Sequence, residues 1–235
     1  GTLSWSSSSS GTTVNGLSDG LVESNSIYVG NDPSGTTDDA EYNVVLGTTA
    51  LDAITTGDGN TAIGYNSLSA NTTGAGNVAF GYNTLAANTT AGQNLAVGYN
   101  VLAIQTTGGE FNTGIGNYSL DANTIGDKNV ALGYNTLSGN SEGSYNVGIG
   151  AEALKINSTG ANNTALGNAA GDVITTGSNN VVIGSGSDPS AADGSNQIVV
   201  GYGATGQANN SVTLGNADVT AVYMAQDAGA TIHAA

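Results

Sequence analysis

Residues 60–76 read NTAIGYNSLSANTTGAG, and residues 77–93 read NVAFGYNTLAANTTAGQ, so the chain says nearly the same thing twice in a row. Aligned on the glycine that closes each N-x-A-x-G pentapeptide, the pattern extends over Gly30, Gly47, Gly64, Gly81, Gly98, Gly116, Gly133, Gly150, Gly167, Gly184 and Gly201. The intervals are all equal to that from Gly64 to Gly81, except that from Gly98 to Gly116, which is longer by a single position. The longer one contains TTGGE at 106–110, where Gly109 is an extra glycine, so the insertion falls in a turn. A further glycine, Gly215, closes a shorter interval after Gly201. Self-similarity at a fixed short period is the signature of a repeat array rather than of a globular core.

Within each unit the pentapeptide alternates, and a period of two is that of a strand. Thr61/Ile63, Val78/Phe80, Leu95/Val97, Val130/Leu132 and Thr164/Leu166 fall on one side, and Ala62, Ala79, Ala96, Ala131 and Ala165 on the other. The larger residues are expected to form the core, and the small ones a flat surface on which copies of the chain pack closely. Four places after the anchor glycine stands a leucine, at Leu51, Leu68, Leu85, Leu102, Leu120, Leu137 and Leu154, expected to open a second short strand. Ten places after the anchor another glycine recurs, as at Gly57, Gly74 and Gly126, and marks a second turn. A unit this short has no room for a βαβ crossover. The predicted fold is all-β: a parallel β-roll or β-helix solenoid of about twelve rungs, each rising roughly 4.8 Å.

The asparagine before each strand (Asn43, Asn60, Asn77, Asn94, Asn112, Asn129, Asn146, Asn163, Asn180) is expected to stack into a ladder, its amide bonding to the asparagines above and below and its backbone tolerating the left-handed region. The structural repeat is thus carried by Asn60, Gly64, Asn77, Gly81, Asn94, Gly98, Asn129, Gly133, Asn146, Gly150, Asn163 and Gly167. About three medium apolar side chains per rung make a thin core against a backbone ordering cost of about 1–2 kcal/mol per residue. A second buried surface, and hence a homo-oligomer, is expected.

Composition narrows the function classes. Of 235 residues 37 are Gly and only 9% are charged; Lys128 and Lys155 stand against 18 acidic residues, for a net charge of −16. Nucleic acid binding needs Lys and Arg to displace counterions from phosphates, and adsorption to an anionic membrane needs the same, so neither is expected. There is no cysteine, and no apolar run approaches the roughly 20 residues that span a bilayer, so membrane insertion is not expected. Neither a cofactor nor a metal is expected. His233 is the sole imidazole, which leaves no Ser-His-Asp arrangement. Asp38, Asp39 and Glu41 form an acidic loop that reads as solvated surface ahead of a calcium site. No GxxxxGK[ST] phosphate loop occurs, and the chain is not expected to be an enzyme.

NTAIG at 60, NVAFG at 77, NLAVG at 94, NVALG at 129, NVGIG at 146 and NTALG at 163 resemble the head repeats of trimeric autotransporter adhesins and the repeats of trimeric phage tail fibres and bacterial mosaic fibre proteins. The resemblance covers about residues 26–216, with 1–25 and 217–235 as connecting segments. The adhesin unit is commonly shorter, and its length is matched here only by the interval from Gly201 to Gly215. NSVTLGNADVTAVYMAQDAGATIHAA at the end looks like the segment ahead of a self-cleaving chaperone domain in such fibres. The resemblance implies a left-handed roll and a homotrimer in line with other fibre modules, located outside the cell on a cell surface or virion fibre.

Two surface features compete as contact sites. Tyr65, Tyr82, Tyr99 and Tyr134 occupy the position just after the anchor glycine, with Tyr202 on a later unit; the row reads either as a sugar-binding stripe or as packing. Thr-Thr pairs such as Thr72/Thr73 and Thr89/Thr90 raise ice binding, against which stands the opposite facing of adjacent strand residues. The expected function is a trimeric fibre module, shaft or receptor-binding region, toward a cell-surface glycan or protein receptor. A self-assembling filament or matrix protein is the alternative, and an ice-binding protein a weaker one.

Overall fold

The computed structural model describes residues 20–30, 37 and 39–222. The strands are β1 Gly20–Glu23, β2 Ser26–Val29, β3 Val44–Leu46, β4 Thr61–Ile63, β5 Val78–Phe80, β6 Leu95–Val97, β7 Thr113–Ile115, β8 Val130–Leu132, β9 Val147–Ile149, β10 Thr164–Leu166, β11 Val181–Ile183, β12 Gln197–Val200 and β13 Ser211–Leu214. They form one sheet in chain order. β2 to β13 are parallel, a β-solenoid of about 11 turns, and β1 pairs antiparallel with β2. At about 4.8 Å per rung, β2 to β13 span roughly 50 Å. No helix occurs among the described residues.

The register follows the sequence period. Ala62 faces Ala79 and Ala79 faces Ala96, while Ala96 faces Gly114, a shift one position larger that absorbs the insertion. Gln105 stands in that rung where the neighbouring rungs carry Asn88 and Asn123. Its longer side chain spans the widened turn, Oε1 accepting from Asn123 Nδ2 at 3.2 Å and Asn112 Nδ2 at 3.4 Å.

Two expectations are corrected here. Each rung carries one strand, not two: the leucines lie in turns, with left-handed φ between 50° and 53° at Leu51, Leu68, Leu85, Leu102, Leu120, Leu137 and Leu154. A leucine in that region costs about 1–2 kcal/mol. Here the conformation drives the side chain fully into the core while the backbone still bonds between rungs, Leu85 N–H donating to Val101 O at 3.0 Å.

The second correction concerns the strand faces. Ala62, Ala79, Ala96, Ala131 and Ala165 are buried inside the roll, and the larger partners point out, with Phe80 53% exposed. The core of a middle rung is therefore one leucine and one alanine, packed with a small Ser, Thr, Ala or Val and with buried amides, while toward the two ends the same inward column holds Tyr28, Val45, Val182 and Val199. In the middle rungs that leaves room for a methyl group and little more. Where the alanine is missing, a neighbour fills the space: a Cβ on Gly114 would lie 2.6 Å from Val101 Cγ1, and one on Gly148 would lie 2.7 Å from Thr136 Cγ2.

The anchor glycines are required by both conformation and contact. Gly81 has φ 134°, and a Cβ there would collide with the carbonyl oxygen of Gly98 on the next rung. The same collision with Gly81 awaits a Cβ on Gly64.

Candidate functional site

Three columns of side chains run along the solenoid, and each has a different chemical capacity. The first is the asparagine ladder. Asn77 N–H donates to Asn60 Oδ1 at 2.9 Å, and Asn77 Nδ2 donates across the rung to Ala91 O at 3.0 Å. The arrangement repeats from Asn43, whose N–H is taken by Ser26 Oγ, to Asn180, and all of these amides are buried. Each asparagine thus joins two rungs and closes its own turn, except Asn94 in the rung of the insertion, whose Nδ2 turns back to Gly92 O at 3.1 Å. Direct amide-to-amide bonds are present in places, as from Asn129 Nδ2 to Asn112 Oδ1 at 3.2 Å. The left-handed residue is not the ladder asparagine but the one before it: Tyr42, Gln93, Phe111, Lys128 and Tyr145 have φ between 56° and 61°.

A second buried ladder escaped the sequence reading. Asn71, Asn88, Asn123, Asn140 and Asn157 each donate Nδ2 to a turn carbonyl three places on, as Asn140 does to Gly143 O at 2.9 Å. Rung to rung, Nδ2 reaches the previous Oδ1, at 2.9 Å from Asn140 to Asn123. The same alignment exposes this ladder, since these residues recur at the period of the anchor glycines. Asn71 and Asn88 each open an Asn-Thr-Thr sequon that follows from the repeat; both are fully buried, so no glycan reaches them. The ladder ends against an apolar side chain on each side, Ile54 and Ile174. Asn157 Oδ1, facing that end, has no hydrogen-bond partner.

The third column is aromatic and exposed. Tyr65 stacks on Tyr82 with ring centroids 5.3 Å apart and 18° between planes, and Tyr82 on Tyr99 at 5.0 Å and 8°. Tyr118, not singled out from sequence because it stands one place later in its rung, bridges Tyr99 (5.4 Å) to Tyr134 (6.1 Å) edge to face. The structure therefore brings all four tyrosines of the stripe into one continuous ladder with Tyr118. The stacked faces are turned toward each other, which leaves ring edges and hydroxyls for any partner. Beside it, on another corner, Lys128 Nζ lies 5.1 Å from the Tyr145 ring centroid and 5.8 Å from that of Phe111, a cation held between two aromatic rungs.

The first threonine is occupied internally in the pairs opened by Thr55, Thr72, Thr89 and Thr175: Thr72 Oγ1 donates to Thr89 O at 3.1 Å and Thr55 Oγ1 to Thr72 O at 3.0 Å. Thr90, a second threonine, also donates to the next rung, to Thr107 O at 3.4 Å. Of the acidic loop, Asp38 lies outside the described residues, as does His233. Asp39 is exposed, and Glu41 N–H donates to Asp58 Oδ1 at 2.8 Å. Among the described residues no three His, Cys, Asp or Glu side chains come close enough to hold a metal ion. Nor is any helix among them long and apolar enough to cross a membrane.

One carboxyl stands out electrostatically. Asp188 occupies the leucine position of its rung, and burial, reinforced by nearby Asp172, raises its pKa to about 6 against the pull of the Val173 N–H. Burial also raises Asp121 and, with Glu152 beside it, Asp172.

The outward strand face completes the picture. From β2 to β13, two side chains per strand point out, from Ile27/Val29 through Val78/Phe80 to Val212/Leu214. Of these 24 positions, three are threonine (Thr61, Thr113, Thr164) and the other 21 are Val, Ile, Leu or Phe, with no charge among them. No family model matches the chain, and none of the curated proteins or solved structures compared with it matches either.

Proposed function

We propose that the chain is a rigid extracellular fibre module that works as a homotrimer, serving as shaft or receptor-binding region at a cell or virion surface, with a glycan as the expected receptor. The observation that carries this reading is the outward strand face. It is a stripe roughly 50 Å long by the rung spacing. At about 10 Å wide it covers roughly 500 Å² in plan, at the upper end of what monomeric proteins expose. Accessible area exceeds plan area, so the stripe approaches the roughly 800 Å² per partner of a stable interface. Lodged against copies of itself, it supplies the second core that a thin roll lacks. The surface for this contact is the row of large residues and not the alanine row. The threefold count and the left-handed winding follow the resemblance to trimeric fibre proteins.

Three parallel copies meet a surface together, so weak contacts act by avidity. The outward strand positions from β2 to β13 carry no acidic residue, and the net charge of −16 borne elsewhere on the chain keeps assembled fibres apart. Immobilised protein is expected to retain particular glycans or receptor-bearing cells, and Tyr82→Ala with Tyr99→Ala to lose them. Failure to retain any glycan or cell contradicts the adhesive half of the reading.

A filament growing end to end is the second reading, favoured by the outer edge of β13, which has no strand partner among the described residues. Against it, β1 runs antiparallel, so a continuing parallel stack meets a reversed strand. Electron micrographs of purified protein decide: rods of one roll's length support the module, long filaments the alternative. Against ice binding, threonine hydroxyls of the pairs bond to carbonyls of the next rung, both of them in Thr89/Thr90, which breaks up any regular hydroxyl array toward water.

A further inference from the structure

We propose that the ladder Tyr65, Tyr82, Tyr99, Tyr118, Tyr134 is an oxidative modification site at which adjacent rungs are joined by dityrosine bonds within one chain. Five phenols on consecutive rungs lie with centroids 5.0 to 6.1 Å apart, all reachable from solvent. In the near-parallel pairs Tyr65–Tyr82 and Tyr82–Tyr99 the ring edges run alongside each other, and small rotations about χ1 and χ2 bring an ortho carbon, Cε, of one ring against that of the next; the edge-to-face pairs at Tyr118 need a larger turn. A fold that pins the rings so close turns coupling from a bimolecular encounter into an intramolecular one.

The co-reactant is hydrogen peroxide acting through a haem peroxidase. Each of two neighbouring phenols loses one electron to the peroxidase and one proton to water, giving two phenoxyl radicals. These form one carbon–carbon bond between their Cε atoms. The hydrogens displaced from those carbons return to the two oxygens, restoring both phenols. Peroxide accepts the two electrons and two protons and leaves as two waters. Any radical formed along the ladder has a neighbour to couple with, so the product is a staple between tyrosines one rung apart. Tyr202 is the internal control: it is 77% exposed, more than any ladder tyrosine, and among the described residues no ring lies beside it.

The test is to treat the whole chain with peroxidase and peroxide over a dilution series. Dityrosine fluorescence is read, with mass spectrometry of peptides after broad-specificity digestion and a denaturing gel. The expected result is linked peptides joining Tyr65 to Tyr82 and Tyr82 to Tyr99, at a yield independent of dilution and with most protein still at single-chain mass. Tyr82→Phe keeps the stacked ring, and circular dichroism checks that it folds; it should abolish both links and lower the fluorescence while leaving links among Tyr99, Tyr118 and Tyr134. Absence of dityrosine in the folded parent, or links found only between chains, or links dominated by Tyr202, overturns the proposal.

Discussion

The two faces of the same short strands are built oppositely. Inside, Ala79 and Ala96 sit in a space that holds a methyl group and is closed by leucine, asparagine and the facing turn. Outside, Val78 and Phe80 stand in the open beside a tyrosine ladder. A roll whose middle strands put the smaller residue inside and the larger ones outside is incomplete as a single chain: the inner face fixes the rung, and the outer face calls for a partner.

The inner face should be the less forgiving. Gly81→Ala forces a side chain into a Gly-only backbone conformation, about 1–3 kcal/mol. It also drives a Cβ into the Gly98 carbonyl of the next rung. Thermal unfolding followed by circular dichroism should show the largest loss of any single change here, extending to failure to fold. Leu85→Ala empties a fully buried position and should cost about 2–5 kcal/mol, read by the same melts. Asn129→Ala removes the acceptor of Asn146 N–H and the donor to Gly143 O, both buried, at about 1–3 kcal/mol. Because rungs couple chiefly to their neighbours, hydrogen exchange in these variants should rise most around the altered rung.

At the C-terminal end the comparison takes a pH-dependent form. Asp188 fills a slot where most other rungs place leucine, and its pKa in the folded chain, about 6, lies above the ordinary 3.8. The folded state therefore binds the proton more tightly than the unfolded one, and stability is lost as pH rises from about 4 through 6. Asp188→Asn should raise the melting temperature at neutral pH and flatten its fall across that window. The effect is smaller than those of the core substitutions, because the carboxyl is only about half buried.

Much of this was legible in the sequence because the period carries it. The strand at the pentapeptide, the anchor glycines, the turn that absorbs Gly109 and the first asparagine ladder all follow from aligning the chain on itself; the second strand expected at the leucines does not form. What alternation leaves open is which face is inner. Ile63 and Phe80 are the larger residues, and larger residues are usually buried. The deciding fact is the room left once Leu68, Leu85 and the amides of both ladders are in place, and that is set by turns whose left-handed leucines have no local sequence signal. The tyrosine ladder was half legible: the repeat shows Tyr65, Tyr82, Tyr99 and Tyr134, but the bridging role of Tyr118 depends on ring directions.

The outer face answers to one measurement, the solution mass of the folded chain and of a variant carrying Ile63→Ser, Phe80→Ser and Val97→Ser. Sedimentation equilibrium should give three times the 22.9 kDa chain mass for the parent. The variant, still folded by circular dichroism since its changes leave the core untouched, should fall to a single chain. A parent that is a well-folded 22.9 kDa monomer at every concentration contradicts the account.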